Sequence, residues 1–175
     1  MNGNTNGNTN GDAIRDAAMR VLDACRIHGL KVATAESCTG GLVAGALTEI
    51  PGSSDVLDRG FVTYSNAAKE TMLAVPASIL ERYGAVSRET ADAMAAGALA
   101  MSNADITVAV TGIAGPGGGS AEKPVGLVHF AAAARDGRRI HREKRYGDIG
   151  RSPIRMHAVA EALAMIELLA TGARI

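Results

Sequence analysis

The chain has 175 residues, enough for one domain of ordinary size. Its formal net charge is zero and aromatics are 3% of residues with no Trp, so nothing in the bulk composition pulls it towards nucleic acid or membranes. Apolar residues make up 47%, so a core is affordable, but Ala, Val, Leu, Ile and Met must fill it. Two cysteines, Cys25 and Cys38, are too few for a disulfide framework, and a reduced cytoplasmic setting is the simplest expectation. No apolar run reaches membrane-spanning length, and the start carries no basic-then-apolar signal pattern.

Residues 1–11 repeat an Asn-Gly-Asn-Thr theme and read as a flexible low-complexity leader, leaving residues 12–175 as one domain. Asp12 is expected to cap a first helix whose Ile14, Ala18, Val21, Leu22 and Cys25 share one face, ending at Gly29. Val32-Ala33-Thr34-Ala35 then reads as a buried strand. It turns through Glu36-Ser37-Cys38-Thr39-Gly40-Gly41 into an apolar helix from Leu42. This turn organises the chain. Glycines there let backbone approach a ligand closely. The new helix leaves N–H groups unpaired, suited to an anion or to an oxyanion formed in acyl transfer.

A loop at Pro51-Gly52-Ser53-Ser54 follows, and Gly60 to Tyr64 reads as a second strand. Ser65 or Asn66 caps a helix carrying Lys69. A lysine near a helix start, or one that is buried, has a lowered pKa and can serve as a general base. Pro76 opens a short helix closed by Gly84, and Ser87 caps a longer one through Met101. Ile106 to Val110 is a near-continuous apolar strand, suited to a sheet centre.

That strand runs into a second glycine-rich loop, Thr111-Gly112-Ile113-Ala114-Gly115-Pro116-Gly117-Gly118-Gly119-Ser120. It lacks the Gly-Lys-Ser/Thr of a P-loop and the spacing of a dinucleotide fingerprint, yet could present backbone N–H groups and Thr111 to an anion. Residues 125–134 and 138–146 flank Asp136-Gly137, a hairpin signal, and the second of these strands is charged on both faces, as an exposed edge strand would be. Ser152 as N-cap and Pro153 as the first helical residue are expected to begin the last helix. Arg151 and Arg155 stand one turn apart at its start, where a phosphate would relieve their conflict with the helix dipole. His28, His129, His141 and His157 show no metal-ligand spacing, so no metal is expected.

Six motifs, in order, resemble one family. They are Thr34-Ala35-Glu36-Ser37-Cys38-Thr39-Gly40-Gly41, Pro51-Gly52-Ser53-Ser54, Tyr64-Ser65-Asn66 with Lys69, Gly84-Ala85-Val86-Ser87, Thr111-Gly112-Ile113-Ala114-Gly115-Pro116 and Lys123-Pro124-Val125-Gly126. Together they resemble the C-terminal domain of the competence/damage-inducible CinA proteins, over residues 12 to 170. The resemblance implies an α/β fold, a three-layer α/β/α sandwich with a mixed sheet that takes in the edge hairpin. It implies nicotinamide-nucleotide amidohydrolase activity without cofactor or metal: hydrolysis of the carboxamide of nicotinamide mononucleotide to nicotinate mononucleotide and ammonia, in pyridine nucleotide salvage. Carried onto this sequence, it puts the nucleophile on Ser37, assisted by Lys69 and Tyr64. Substrate contacts fall on Glu36, Thr39, Gly40 and Gly41, on Thr111, Gly112 and Gly115, and on Arg151 and Arg155. The oxyanion falls to N–H groups near Thr39 to Gly41. In one respect the chain departs from the family: Ile149-Gly150 stand before Arg151, where the pattern is tighter.

Two alternatives stay open at this point. Cys38 at the helix start could be the nucleophile instead. The domain could also be a non-catalytic module that binds or senses a pyridine nucleotide. In either case the partner is a small-molecule nucleotide, with no nucleic acid or membrane, and a homo-oligomer stays open.

Overall fold

The computed structural model describes residues 9–172. Five strands form one mixed sheet, in the order β2-β1-β3-β4-β5. They are β1 (Val32–Glu36), β2 (Leu57–Val62), β3 (Ile106–Gly112), β4 (Leu127–Ala134) and β5 (Arg139–Arg145). The helices are α1 (Thr9–His28), α2 (Leu42–Thr48), α3 (Asn66–Leu73), α4 (Ala77–Tyr83), α5 (Arg88–Ala100) and α6 (Arg151–Thr171). β1 pairs in parallel with β2 and β3 on its two sides, and every one of its residues is buried. β4 runs antiparallel to β3, and β5 antiparallel to β4.

The period of two along the strands divides the core into two layers. On one face Val32, Ile106, Val108, Val110, Val128 and Phe130 pack under α1, α2 and α6. On the other, Ala33, Ala35, Ala109, Ala131 and Ala133 pack with residues of α3, α4 and α5. This is the expected three-layer α/β/α sandwich, with the 127–145 hairpin at the sheet edge. Gly137 takes a left-handed φ of 98° at the hairpin turn, which the Asp-Gly pair anticipates.

Several boundaries differ from the sequence expectation. α1 begins at Thr9, so Asp12 lies in its first turn, where an acid complements the dipole, and is not its cap. Residues 1–8 of the expected leader lie outside the described residues. β2 starts at Leu57 and ends at Val62, because its pairing with β1 begins at Val32↔Leu57. As an end strand it tolerates the polar Asp58 and Arg59, which read as loop. α6 begins at Arg151 behind Gly150, with the Ile154 N–H closing the first turn on the Gly150 carbonyl. Ser152 and Pro153 therefore sit inside that turn, where a missing proline N–H costs nothing.

β1 lies between its two parallel neighbours, and its chain leaves towards β2 through α2. The chain returns from β2 across α3, α4 and α5 to β3. The carboxyl end of β1 is thus the point where the connections diverge, the place at which open α/β sheets bind ligands.

Candidate active site

Strand alternation sends Val32, Thr34 and Glu36 to the α2 side and Ala33, Ala35 and then Ser37 to the α3 side. Ser37 is 9% exposed, and its Oγ accepts a hydrogen bond from Lys69 Nζ at 3.1 Å. Lys69 comes from the first turn of α3, a helix fixed by Ser65, whose Oγ accepts the Ala68 N–H. Lys69 is 1% exposed. Its Nζ also donates to the Thr63 carbonyl at 2.8 Å. Both recorded partners are neutral, so burial pushes the Lys69 amine below the ordinary lysine pKa. A buried lysine amine with a lowered pKa therefore stands within hydrogen-bond distance of a serine hydroxyl.

Cys38 is buried in the layer below α6, and burial raises its thiol pKa to about 12. A thiol so protonated is a poor nucleophile at neutral pH. Tyr64, expected to assist, is 62% exposed. Its hydroxyl accepts from Arg151 Nη2 at 2.9 Å and makes no hydrogen bond to Ser37 or Lys69. The other arm of Arg151, Nη1, donates to the Gly115 carbonyl at 2.9 Å, so Arg151 links the loop after β2 to the loop after β3. Gly112 is half-buried at the end of β3, and a Cβ on it would press on the Leu127 carbonyl at 2.8 Å. Thr111 is buried, and its hydroxyl is committed to the Ala85 carbonyl at 2.6 Å. In this state its hydroxyl proton is spent and cannot be donated to an anion.

Glu36 differs most from expectation. It is fully buried and turned away from Ser37, under α2. Oε2 accepts the N–H groups of Gly41 (2.9 Å) and Val43 (3.0 Å). Oε1 accepts the Ala44 N–H (2.9 Å) and the Thr34 hydroxyl (3.1 Å). The anion at this helix start is therefore the protein's own carboxylate, and Glu36 does not face a substrate. Gly40 and Gly41 hold left-handed φ values of 61° and 99°, which lets the turn fold back over Glu36. The Gly40 N–H is taken by the Ser37 carbonyl at 3.1 Å. Among the described residues, the Cys38 and Thr39 N–H groups are left without a partner. Of the expected Thr39–Gly41 donors, Gly40 and Gly41 are therefore taken, and the N–H groups left open are those of Cys38 and Thr39. The Thr39 hydroxyl is also buried without a partner.

Arg155, expected on phosphate, is half-buried and clasps the same turn from outside. Its Nε donates to the Cys38 carbonyl at 3.1 Å and Nη2 to the Thr39 carbonyl at 2.9 Å. Among the described residues no group of three or more His, Cys, Asp and Glu is disposed to hold a metal. His129 and His141 do meet on β4 and β5, with Nδ1 and Nε2 3.2 Å apart, His129 lying opposite Thr111 in the β3–β4 register.

The family profile described as "CinA C-terminal domain" matches residues 14–170. The chain belongs to that family. Among CinA relatives, the nicotinamide-nucleotide amidohydrolase PncC of Enterobacter agglomerans is 49% identical over 151 residues, covering 86% of this chain and 91% of that protein. A CinA-like protein of Synechococcus is 54% identical over 85% of this chain, which spans only 36% of its length. Among solved structures, the competence/damage inducible protein CihA of Agrobacterium tumefaciens superposes with a TM-score of 0.88 at 61% identity, covering 91% of this chain and 96% of that one. A CinA superfamily protein of Escherichia coli gives 0.84 at 34%, covering 97% and 98%. The motifs of this CinA domain surround the Ser37–Lys69 contact: the turn after β1, the cap of α3 and the loop after β3. Among the described residues no helix is long and apolar enough to cross a membrane.

Proposed function

We propose that this domain hydrolyses the carboxamide of nicotinamide mononucleotide to nicotinate mononucleotide and ammonia. The observation that carries this reading is the buried 3.1 Å contact from the Lys69 amine to the Ser37 hydroxyl. The name of the Enterobacter agglomerans relative supplies the substrate.

In the proposed reaction Ser37 Oγ attacks the carboxamide carbon while Lys69 Nζ takes the hydroxyl proton. The negative charge on the carboxamide oxygen is met by the N–H groups of Cys38 and Thr39; one such donor is worth about 3 kcal/mol in the transition state. The Lys69 ammonium then protonates the departing nitrogen, the C–N bond breaks and ammonia leaves. Water attacks the resulting ester, giving a proton to Lys69, and nicotinate mononucleotide departs as Ser37 Oγ regains its hydrogen. The 5′-phosphate falls to exposed Arg151 and the free N–H groups at the start of α6. Both arginines carry hydrogen bonds, but Arg155 is half-buried on the carbonyls of the turn, whereas Arg151 is exposed and can exchange its Gly115 and Tyr64 contacts for the phosphate. Tyr64, bonded to Arg151, orders that rim rather than the proton path.

The test is ammonia release on incubation with nicotinamide mononucleotide, in wild type and in Ser37→Ala. Turnover in the wild type that vanishes in the variant, with nucleotide still bound, is the expected outcome. Binding without ammonia release in either protein points to a sensing module, and full activity in Ser37→Ala removes the covalent scheme.

A further inference from the structure

The turn that carries Ser37 can be accounted for one polar backbone group at a time. The Ser37 N–H donates to the Val110 carbonyl at 2.9 Å, which ties the turn to β3. The Ser37 carbonyl accepts from Gly40, and the Cys38 and Thr39 carbonyls accept from Arg155. The Gly41 N–H, and the Val43 and Ala44 N–H groups beyond it, go to Glu36. Among the described residues, two adjacent N–H donors of the turn are thus left unpinned, those of Cys38 and Thr39, and these directly follow the nucleophile; the Gly40 carbonyl is the one acceptor of the turn likewise left open. Glu36 supplies the anchor from inside. Its own backbone belongs to β1, and its carbonyl accepts the Thr63 N–H at 2.8 Å. One residue therefore joins the end of β1, the start of α2 and the segment whose carbonyl holds Lys69.

We infer that Glu36 is a positioning residue: its carboxylate fills the start of α2 and, with Arg155 opposite, sets the Ser37 turn so that the Cys38 and Thr39 N–H groups stay free for the developing oxyanion. The inference rests on the acyl-transfer reading of Ser37. It assigns Glu36 to transition-state stabilisation and not to substrate binding, so its signature lies in kcat and not in KM.

Glu36→Gln is the sharpest perturbation. The amide keeps its oxygen on Gly41 and Val43 and turns its NH2 to the Thr34 hydroxyl, but that NH2 then faces the Ala44 N–H donor to donor. The expected result is a kcat for nicotinamide mononucleotide 10- to 100-fold lower, KM within threefold of wild type, and an unchanged circular dichroism spectrum. Acylation of Ser37 by p-nitrophenyl acetate, read as the nitrophenolate burst, should slow by a similar factor, because that step needs the same oxyanion donors whatever the natural substrate. This second assay separates the two ideas. Absent ammonia release in the wild type, with a burst that still slows in Glu36→Gln, sinks the amide substrate and leaves the role of Glu36 standing. A kcat within twofold of wild type, a raised KM at unchanged kcat, or no burst in the wild type overturns the inference. If Glu36→Gln does not fold, Arg155→Lys loosens the same turn from its carbonyl side. It must then lower kcat and the burst rate together at constant KM, and failure to do so counts equally against the inference.

Discussion

Replacing Lys69 with Met removes the amine while keeping a long apolar stem in place. General-base assistance is worth about 10²–10⁴ in rate, or roughly 3–5 kcal/mol of barrier. No other titratable side chain hydrogen-bonds Ser37 among the described residues, so the loss should lie towards the upper end. Stability should move little. The Thr63 carbonyl loses its donor, at a cost of about 1–3 kcal/mol, while the buried amine takes its own desolvation cost with it. A net change within about 2 kcal/mol corresponds to less than about 8 °C in Tm for a chain of this size. The pH dependence carries the sign. Lys69 has a lowered folded-state pKa, so between that value and 10.5 the unfolded chain binds the extra proton and wild-type stability gains as pH rises. The slope is at most about 1.4 kcal/mol per pH unit from this one group. Cys25 and Cys38 act oppositely: with thiol pKa values raised from 9.0 to about 11 and about 12, their contribution is complete below pH 9 and fades above it. Subtracting the Lys69→Met curve from the wild-type curve cancels the cysteines. Urea unfolding at pH 7 to 10 should show the difference growing in favour of wild type, and kcat/KM of wild type should climb with pH over the lysine's own titration. Parallel stability curves, or a variant keeping more than a tenth of kcat/KM, would refute a neutral Lys69 base.

Ser37→Ala should abolish ammonia release with Tm within a few degrees of wild type, measured by coupled ammonia assay and thermal melt. Cys38→Ala should keep activity within about tenfold, since the thiol is protonated and turned into the core, and should lessen the fall in stability above pH 9; loss of all turnover would reinstate the thiol as nucleophile. Gly97→Ala should cost about 3 kcal/mol or more, because the new Cβ would run into the Leu73 carbonyl where α5 crosses α3; a melt unchanged from wild type would mean the helices separate at no cost.

Much of the local structure was legible because the signals are local. Ser65 and Ser87 both cap their helices through the side chain, as their position before an amphipathic run suggests. The near-continuous apolar run of β3 lies in the middle of the sheet, and β5, charged on both faces, is an edge. The contact between Ser37 and Lys69 was not legible from spacing, since 32 residues and a crossover separate them. It came only from the resemblance. Glu36 was misassigned although the signal was there. Counting by two from Val32 puts Glu36 on the α2 side and Ser37 on the α3 side, so the two cannot both face one ligand. Arg155 misled for another reason. Its position at a helix start suits phosphate, but nothing in a sequence shows that two carbonyls of a distant turn reach it first. Tyr64 adjoins the lysine's helix in sequence, yet the strand has already ended at Val62 and its ring turns outward.

The composition that looked merely unusual explains how the site is assembled. A lysine can reach a serine just beyond β1 only if its helix lies close to the sheet. The layer between them is built from Ala33, Ala35, Ala109, Ala131 and Ala133, with Phe61 the one aromatic in that cluster. Gly97 lets the backbone of α5 pass against the Leu73 carbonyl at the end of α3. On the opposite face Phe130, Leu163, Met165 and Ile166 fill a thicker layer, and no lysine is buried there. Each layer thus holds a single buried phenylalanine, and what distinguishes the second is the run of alanines that its strands present to the helices. Enlarging an alanine of that layer would push on α5, which packs on the sheet and against α3, so the strain would be passed to the helix that carries Lys69.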